Sequence, residues 1–299
     1  MDSRGAVVSV KLLTRHGVRL KPDTTYGVRL KPDTTYPDVV SGVVSGFSRT
    51  VVCRTVVVAT VFLLAASGTL HAQRGGRGGP PPAAREAAAL DLTGYWVSVI
   101  VEDWKFRMVT PKKGVYDSLP LNAEGRRVGD TWDPARDEAA GEQCRAYGAA
   151  NLMRLPGRLH VTWADANTLR IDTDAGTQTR LFRFSAAASP DGEPTWQGHS
   201  IAQWEVAGGG RGGARLGNLK VVTTSLRPGY VRKNGAPHSK GAVVTEYYDV
   251  NTAPNGDRWL TVTTKVDDPL YFTRPYLTTT DFKKLPDASG WNPSPCSAR

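Results

Sequence analysis

From Asp91 onward, apolar and polar residues alternate with period two, the pattern of strands with one buried face. Trp104, Phe106 and Met108 alternate with Lys105, Arg107 and Val109. Leu159, Val161 and Trp163 alternate with His160 and Thr162, and Leu169 and Ile171 with Arg170 and Asp172. Further strands are expected over 177–184, 200–206, 219–226, 242–250 and 259–266. Turn residues separate them at Asp165-Ala-Asn167, Asp174-Ala-Gly176 and Asn255-Gly256. The last predicts a type I′ hairpin, whose two central residues need positive φ. Short, closely spaced strands predict a mainly β fold, an antiparallel meander forming a barrel or barrel-like sandwich.

A short helical insertion is expected around 122–148. Asp133-Pro134 is a natural N-cap followed by proline at the first helical position, with a helix running to Tyr147 and ending at Gly148. A second helix begins at Asn122.

A different pattern governs the N-terminal part. Gly17-Val-Arg-Leu-Lys-Pro-Asp-Thr-Thr-Tyr26 is repeated without change as residues 27–36. Structural repeats have longer periods and drift in sequence, so residues 1–50 read as a translated DNA repeat, expected to be disordered. Arg54 then precedes an apolar run over 55–66 and the small residues Ser67-Gly-Thr-Leu-His-Ala72. This is the layout of a signal peptide spanning 51–72 and cleaved near Ala72. The run is too short for a spanning helix, and no stable membrane span is expected after processing. Residues 73–90 read as a Gly/Arg/Pro-rich linker and 91–299 as a single β-rich domain. The expected location is periplasmic or extracellular.

Composition changes once the leader is set aside. The net charge of +10 divides evenly, leaving 29 Lys+Arg against 24 Asp+Glu after residue 72. That is ordinary surface charge, and a nucleic-acid partner is not expected. Cys53 leaves with the leader. Cys144 and Cys296 remain, and in an oxidising compartment they are expected to form a disulfide.

Two resemblances bear on the fold. Asp91-Leu-Thr-Gly94-Tyr-Trp96 resembles the Gly-x-Trp opening of lipocalin-type barrels, which implies a tryptophan packed across a barrel floor. Trp196-Gln-Gly-His-Ser200, Trp204-Glu205, Thr245-Glu-Tyr247, Asp267-Asp-Pro269 and Thr273-Arg-Pro275 follow in order. This series resembles a group of secreted, β-rich bacterial proteins of unknown function over roughly 140–285. It implies secretion and a β fold but no chemistry. The glycine-arginine insertion over 206–217 departs from that group's pattern.

Candidate chemistry is sparse. The histidines after the leader, His160, His199 and His238, lack metal-ligand spacing, so no metal is assigned. No phosphate loop or dinucleotide signature occurs, so no cofactor is implied. Asp172, His199, Glu205 and His238 are the candidate catalytic groups, Asp172 and Asp174 could pair as acid and base, and Ser200, His238 and Asp268 could form a triad. Glu102-Asp103 is a further carboxylate pair. Trp104, Trp163 and Trp204, with Arg107 and Arg180 as anion partners, are the candidate ligand-binding residues. Arg170 and Arg183 are further cationic candidates. These residues favour an exported, non-catalytic barrel that binds a small apolar or amphipathic molecule or an envelope component. The alternatives are a secreted hydrolase using carboxylate or histidine chemistry, and a structural envelope protein. Oligomeric state is left open.

Overall fold

The computed structural model describes residues 81–185, 192–207 and 216–299. The tandem repeat, the leader, residues 73–80 and most of the 206–217 insertion lie outside the described residues. Nine strands build the body: β1 (Gly94–Val99), β2 (Arg158–Asp165), β3 (Thr168–Thr173), β4 (Gln178–Arg183), β5 (His199–Ala207), β6 (Leu216–Thr224), β9 (Val243–Thr252), β10 (Arg258–Asp267) and β11 (Tyr276–Lys284). They close a barrel in the order β1-β11-β10-β9-β6-β5-β4-β3-β2. β1 completes the ring, with Trp96 opposite Leu159 on β2 and Lys284 on β11. Every pair is antiparallel except a short parallel contact between β4 and β5. A hairpin of β7 (Gly229–Arg232) and β8 (Ala236–His238) stands outside the ring, between β6 and β9.

The period-two pattern places apolar side chains inside. Trp96, Phe182, Tyr248 and Phe282 fill the middle of the barrel and are at most 1% exposed. Outward positions carry Arg170, Asp172, Lys220 and Lys265, the reverse of a lipid-spanning barrel. Among the described residues no helix is long and apolar enough to cross a membrane.

A polar layer divides this interior. On β9, Glu246 lies between Val244 and Tyr248, which belong to two different apolar clusters; on β10, Thr264 separates Val262 and Val266 in the same way. Glu246 receives two hydrogen bonds from Arg180 on β4, at 2.9 and 2.7 Å, and both side chains are fully buried. Arg180 also donates to Thr223 Oγ1 at 3.2 Å, and Thr223 bonds Ser200 at 2.8 Å. A buried charge is tolerated only when paired and hydrogen-bonded. Here the pairing spans β4 and β9, with β5 and β6 supplying the hydroxyls.

The two mouths are closed differently. One is capped by α1 (Trp104–Arg107), α2 (Ala123–Gly129), α3 (Pro134–Ala139), two 3₁₀ turns at Arg145–Tyr147 and Leu152–Arg154, and the β7–β8 hairpin. Over the other runs the described end of the expected linker. Ala84 N–H donates to Asn167 Oδ1 and Arg85 N–H to the Ala166 carbonyl, and Leu90 packs on the core. The Cys144–Cys296 disulfide ties the C-terminal tail to the cap, with Cα atoms 5.1 Å apart across 152 residues of chain. A closure of that length contributes about 4–5 kcal/mol on the chain-entropy account.

Three expectations are corrected. The Trp104–Phe106–Met108 segment is a helical turn, not a strand. Arg107 points inward from it, whereas Trp104 and Met108, four residues apart, share the outer side. The helix begun by Asp133 and Pro134 stops at Ala139, where Gly141 turns the chain at φ +70°; only Arg145–Tyr147 resumes a helical turn. Between β9 and β10, Gly256 alone has positive φ. Gly256 N–H bonds the Ala253 carbonyl, and Ala253 N–H bonds the Asp257 carbonyl. Pro254 holds φ near −65°, so the hairpin closes through a three-residue type I turn with a left-handed glycine.

Removing one partner of the Arg180–Glu246 pair leaves a buried charge unmatched. Arg180→Met or Glu246→Gln alone is expected to lower stability by about 3–5 kcal/mol, and Arg180→Met with Glu246→Leu to recover most of it. Urea unfolding checks this; a double variant no more stable than either single one would show that the pairing is not what the layer depends on.

Candidate anion-binding site

At the capped mouth, three arginines from separate elements converge. Arg107 comes from α1, Arg154 from the second 3₁₀ turn and Arg232 from the end of β7; they are 8%, 6% and 4% exposed. Each is anchored on one side. Arg107 Nε donates to the Arg154 carbonyl at 2.9 Å, and Arg107 Nη1 pairs with Glu102. Arg154 Nη2 pairs with Asp103 Oδ2 at 2.8 Å. Arg232 Nη1 donates to the Asp117 carbonyl at 3.0 Å, and its guanidinium lies 4.4 Å from the Phe106 ring centroid.

The other side of each is unmatched. Arg107 Nη2, Arg154 Nη1 and Arg232 Nη2 are buried without a hydrogen-bond acceptor. All three residues line one small cavity of about 20 Å³, together with Phe106, Val109, Leu155 and Lys233. Three guanidinium groups face two paired carboxylates, Glu102 and Asp103, so a positive charge is left over and Lys233 adds another. Glu102 Oε2 is also buried without a partner. Asp281 acts on Arg107 as well, while accepting from Thr261 at 2.7 Å. Burial pulls Arg107 and Arg232 below the usual arginine range, and proximity to Arg154 adds to it. The Tyr276 hydroxyl lies beside Arg232 outside hydrogen-bonding geometry.

Unmatched buried N–H groups are costly, and arginine forks match carboxylate and phosphate oxygens. A cavity of this size holds a single small group. The arrangement therefore suits a single oxygen of an anionic group, with Phe106, Val109 and Leu155 beside it.

The other candidate residues are dispersed. Asp172 is on the outer wall, held by Arg170 at 2.7 Å and Thr179 at 2.5 Å, beside a groove of about 300 Å³ that includes Tyr95, His160 and Trp291. Asp174 is buried and accepts from the Arg158 N–H at 2.6 Å, so the two aspartates serve different partners and form no acid/base pair. Glu205 is an outward residue of β5 paired with Lys220 at 3.3 Å, and His199 starts that strand. Among the described residues no hydrogen bond or ion pair joins any two of Asp172, His199, Glu205 and His238. The imagined triad is not assembled: Ser200 bonds Thr223, and Asp268 instead accepts the Ser239 N–H at 2.6 Å and hydroxyl at 2.9 Å. No metal-holding cluster occurs among the described residues.

Arg180 is fully buried and held by Glu246, away from the three arginines of the cap. Trp163 and Trp204 flank Phe184 at the other mouth, with ring centroids 5.7 and 5.2 Å from it, and Trp204 Nε1 donates to the Ala84 carbonyl at 2.8 Å. Trp104 is 65% exposed beside the arginine cavity. Of the expected binding residues, Arg107 alone lines that cavity. Arg154 and Arg232 were missed, although each sits among apolar neighbours (Leu152-Met153 and Leu155; Tyr230-Val231), a context that marks a charge drawn inside.

A second cleft of about 420 Å³ lies between α3 and the β7–β8 hairpin. Tyr230 donates to Asp137 at 2.8 Å, and Arg145 pairs with Asp137 at 3.1 Å. His238 borders the same cleft, its Nδ1 3.1 Å from the Ser239 carbonyl and its Nε2 packed against Gly229, where a Cβ would approach to 2.7 Å.

Comparison with protein-family models, curated proteins and solved structures found no match.

Burial holds His238 below the ordinary histidine value of 6.5, although the Ser239 carbonyl and Asp268 oppose this. The unfolded chain therefore takes up the proton more readily. The contribution is complete above the unfolded value and lost as pH falls below it. Melting temperatures between about pH 8 and 5 should drop toward acid in the native protein and less steeply in His238→Asn; identical slopes would remove His238 as the cause.

Proposed function

We propose that the chain is an exported barrel protein that binds, without catalysing a reaction, an amphiphile bearing a carboxylate or phosphate. The observation that carries this is that three buried arginines, each with a nitrogen that lacks an acceptor, line one small cavity. Phe106, Val109 and Leu155 beside the arginines support a ligand with an apolar body, and the packed barrel interior directs binding to the cap.

Export is supported by the leader-like run over 55–72 and by the Cys144–Cys296 disulfide, a bond that persists in oxidising compartments. The resemblance of residues 140–285 to secreted β-rich bacterial proteins points the same way. The dispersal of Asp172, His199, Glu205 and His238 favours binding over hydrolysis.

Inorganic phosphate, acetate and a short alkyl phosphate are the probes. Saturating ligand is expected to raise the melting temperature, by the mass action of a molecule that binds only the folded state. Arg232→Lys keeps the charge but loses the fork, and is expected to weaken binding by about 1.5–3 kcal/mol, about tenfold to a hundredfold. Calorimetric titration measures it; equal affinity in the native protein and the variant would remove the arginine cavity from the proposal.

A further inference from the structure

We infer that the capped mouth docks on an anionic phospholipid surface, with a headgroup phosphate at Arg107, Arg154 and Arg232 and the side chains around α1 in the lipid interface. This inference rests on the anion-binding reading and names the source of the anion.

Seven large apolar residues are conspicuously exposed among the described residues, and four of them fall within nine positions: Val101 (69%), Trp104 (65%), Met108 (59%) and Val109 (67%). The other three, Val206, Leu270 and Leu277, are scattered. The turn geometry of α1 explains the grouping. Met108 N–H bonds the Trp104 carbonyl, so Trp104 and Met108 stand one above the other on the outer side, and Arg107 is directed into the cavity. One helical turn thus presents apolar groups outward and a cation inward, a few ångströms apart.

Charge selects the partner. Lys105, Lys112 and Lys113 are exposed along the same segment, and none pairs with a carboxylate among the described residues. Glu102 and Asp103 are turned inward to Arg107 and Arg154, which leaves Asp117 as the exposed acid of the stretch. Tryptophan prefers the headgroup level of a bilayer, and apolar side chains ringed by lysine are the features of a surface that lies on anionic lipid. A second copy of this chain would bring the same lysines, and Arg232 with no carboxylate paired to it among the described residues, face to face. A free anion would fill the cavity and leave the apolar collar in water.

Sedimentation with vesicles tests the inference, using phosphatidylcholine alone and phosphatidylcholine mixed with phosphatidylglycerol. The purified protein is expected to sediment with the mixed vesicles and not the neutral ones, and to be released by salt. Trp104→Ser with Met108→Ser changes exposed groups only. It should weaken vesicle binding about tenfold or more, given what burying side chains of that size contributes, while the melting shift with inorganic phosphate is retained. Arg232→Lys should weaken both. If phosphate stabilises the protein but vesicles do not bind, or bind equally well to the Trp104→Ser, Met108→Ser variant, lipid docking is overturned and anion binding stands. If neither phosphate nor vesicles bind, both fall. A dimer in solution that the double variant abolishes would reassign the apolar face to self-association.

Discussion

Closing this barrel brings two opposite charges together in its centre. Arg180 projects inward from β4 and Glu246 from β9, and two strands lie between them in the ring. Either one alone in that interior would cost several kcal/mol. A one-residue slip of β4 or β9 would turn its charge to the outer wall and strand the other. The pair therefore disfavours shifted registers as well as bridging the interior. Hydroxyls on β5 and β6 extend the network to the strands between, so the closure of one side of the barrel is tied to a single polar layer.

That layer also bears on where a ligand could be held. With Trp96, Phe182, Tyr248 and Phe282 on one side of it and Val244, Val266 and Tyr276 on the other, the inside of the barrel is occupied, and the Trp163–Phe184–Trp204 row is covered at one mouth by the chain around Ala84. The capped mouth is different in kind. Arg180 has its charge neutralised by a bidentate carboxylate and keeps only Nε without an acceptor, whereas Arg107, Arg154 and Arg232, each with one such nitrogen, line a shared cavity. The Arg180–Glu246 pair holds the barrel together; the three arginines at the cap are what the proposed anion would meet.

The strands were legible because alternation is a local property. β2, β3 and β9 sit within a few residues of where the apolar positions placed them, and the caps Asn122 and Asp133 bond the first turns of α2 and α3 as their types require. Alternation misled at Trp104, because a four-residue turn also spaces apolar residues at short intervals, and what separates the two is the inward pull on Arg107. The disulfide was legible for a different reason: two cysteines in the folded part leave one pairing. β11 went unread, its threonine-rich run offering no apolar face as plain as that of β10.

The candidate site was half visible at most. Arg107 could be named from its neighbours in the chain, but Arg154 and Arg232 lie 47 and 125 positions further on, in segments that look like core. Binary patterning and capping chemistry act over a few residues, so the sequence alone determined the β class, the helical insertion and the disulfide. Which buried arginine is neutralised in the barrel and which gather at one cavity depends on contacts between elements distant in the chain. Only the closed barrel and its cap, which set those distances and exclude water from them, decided that.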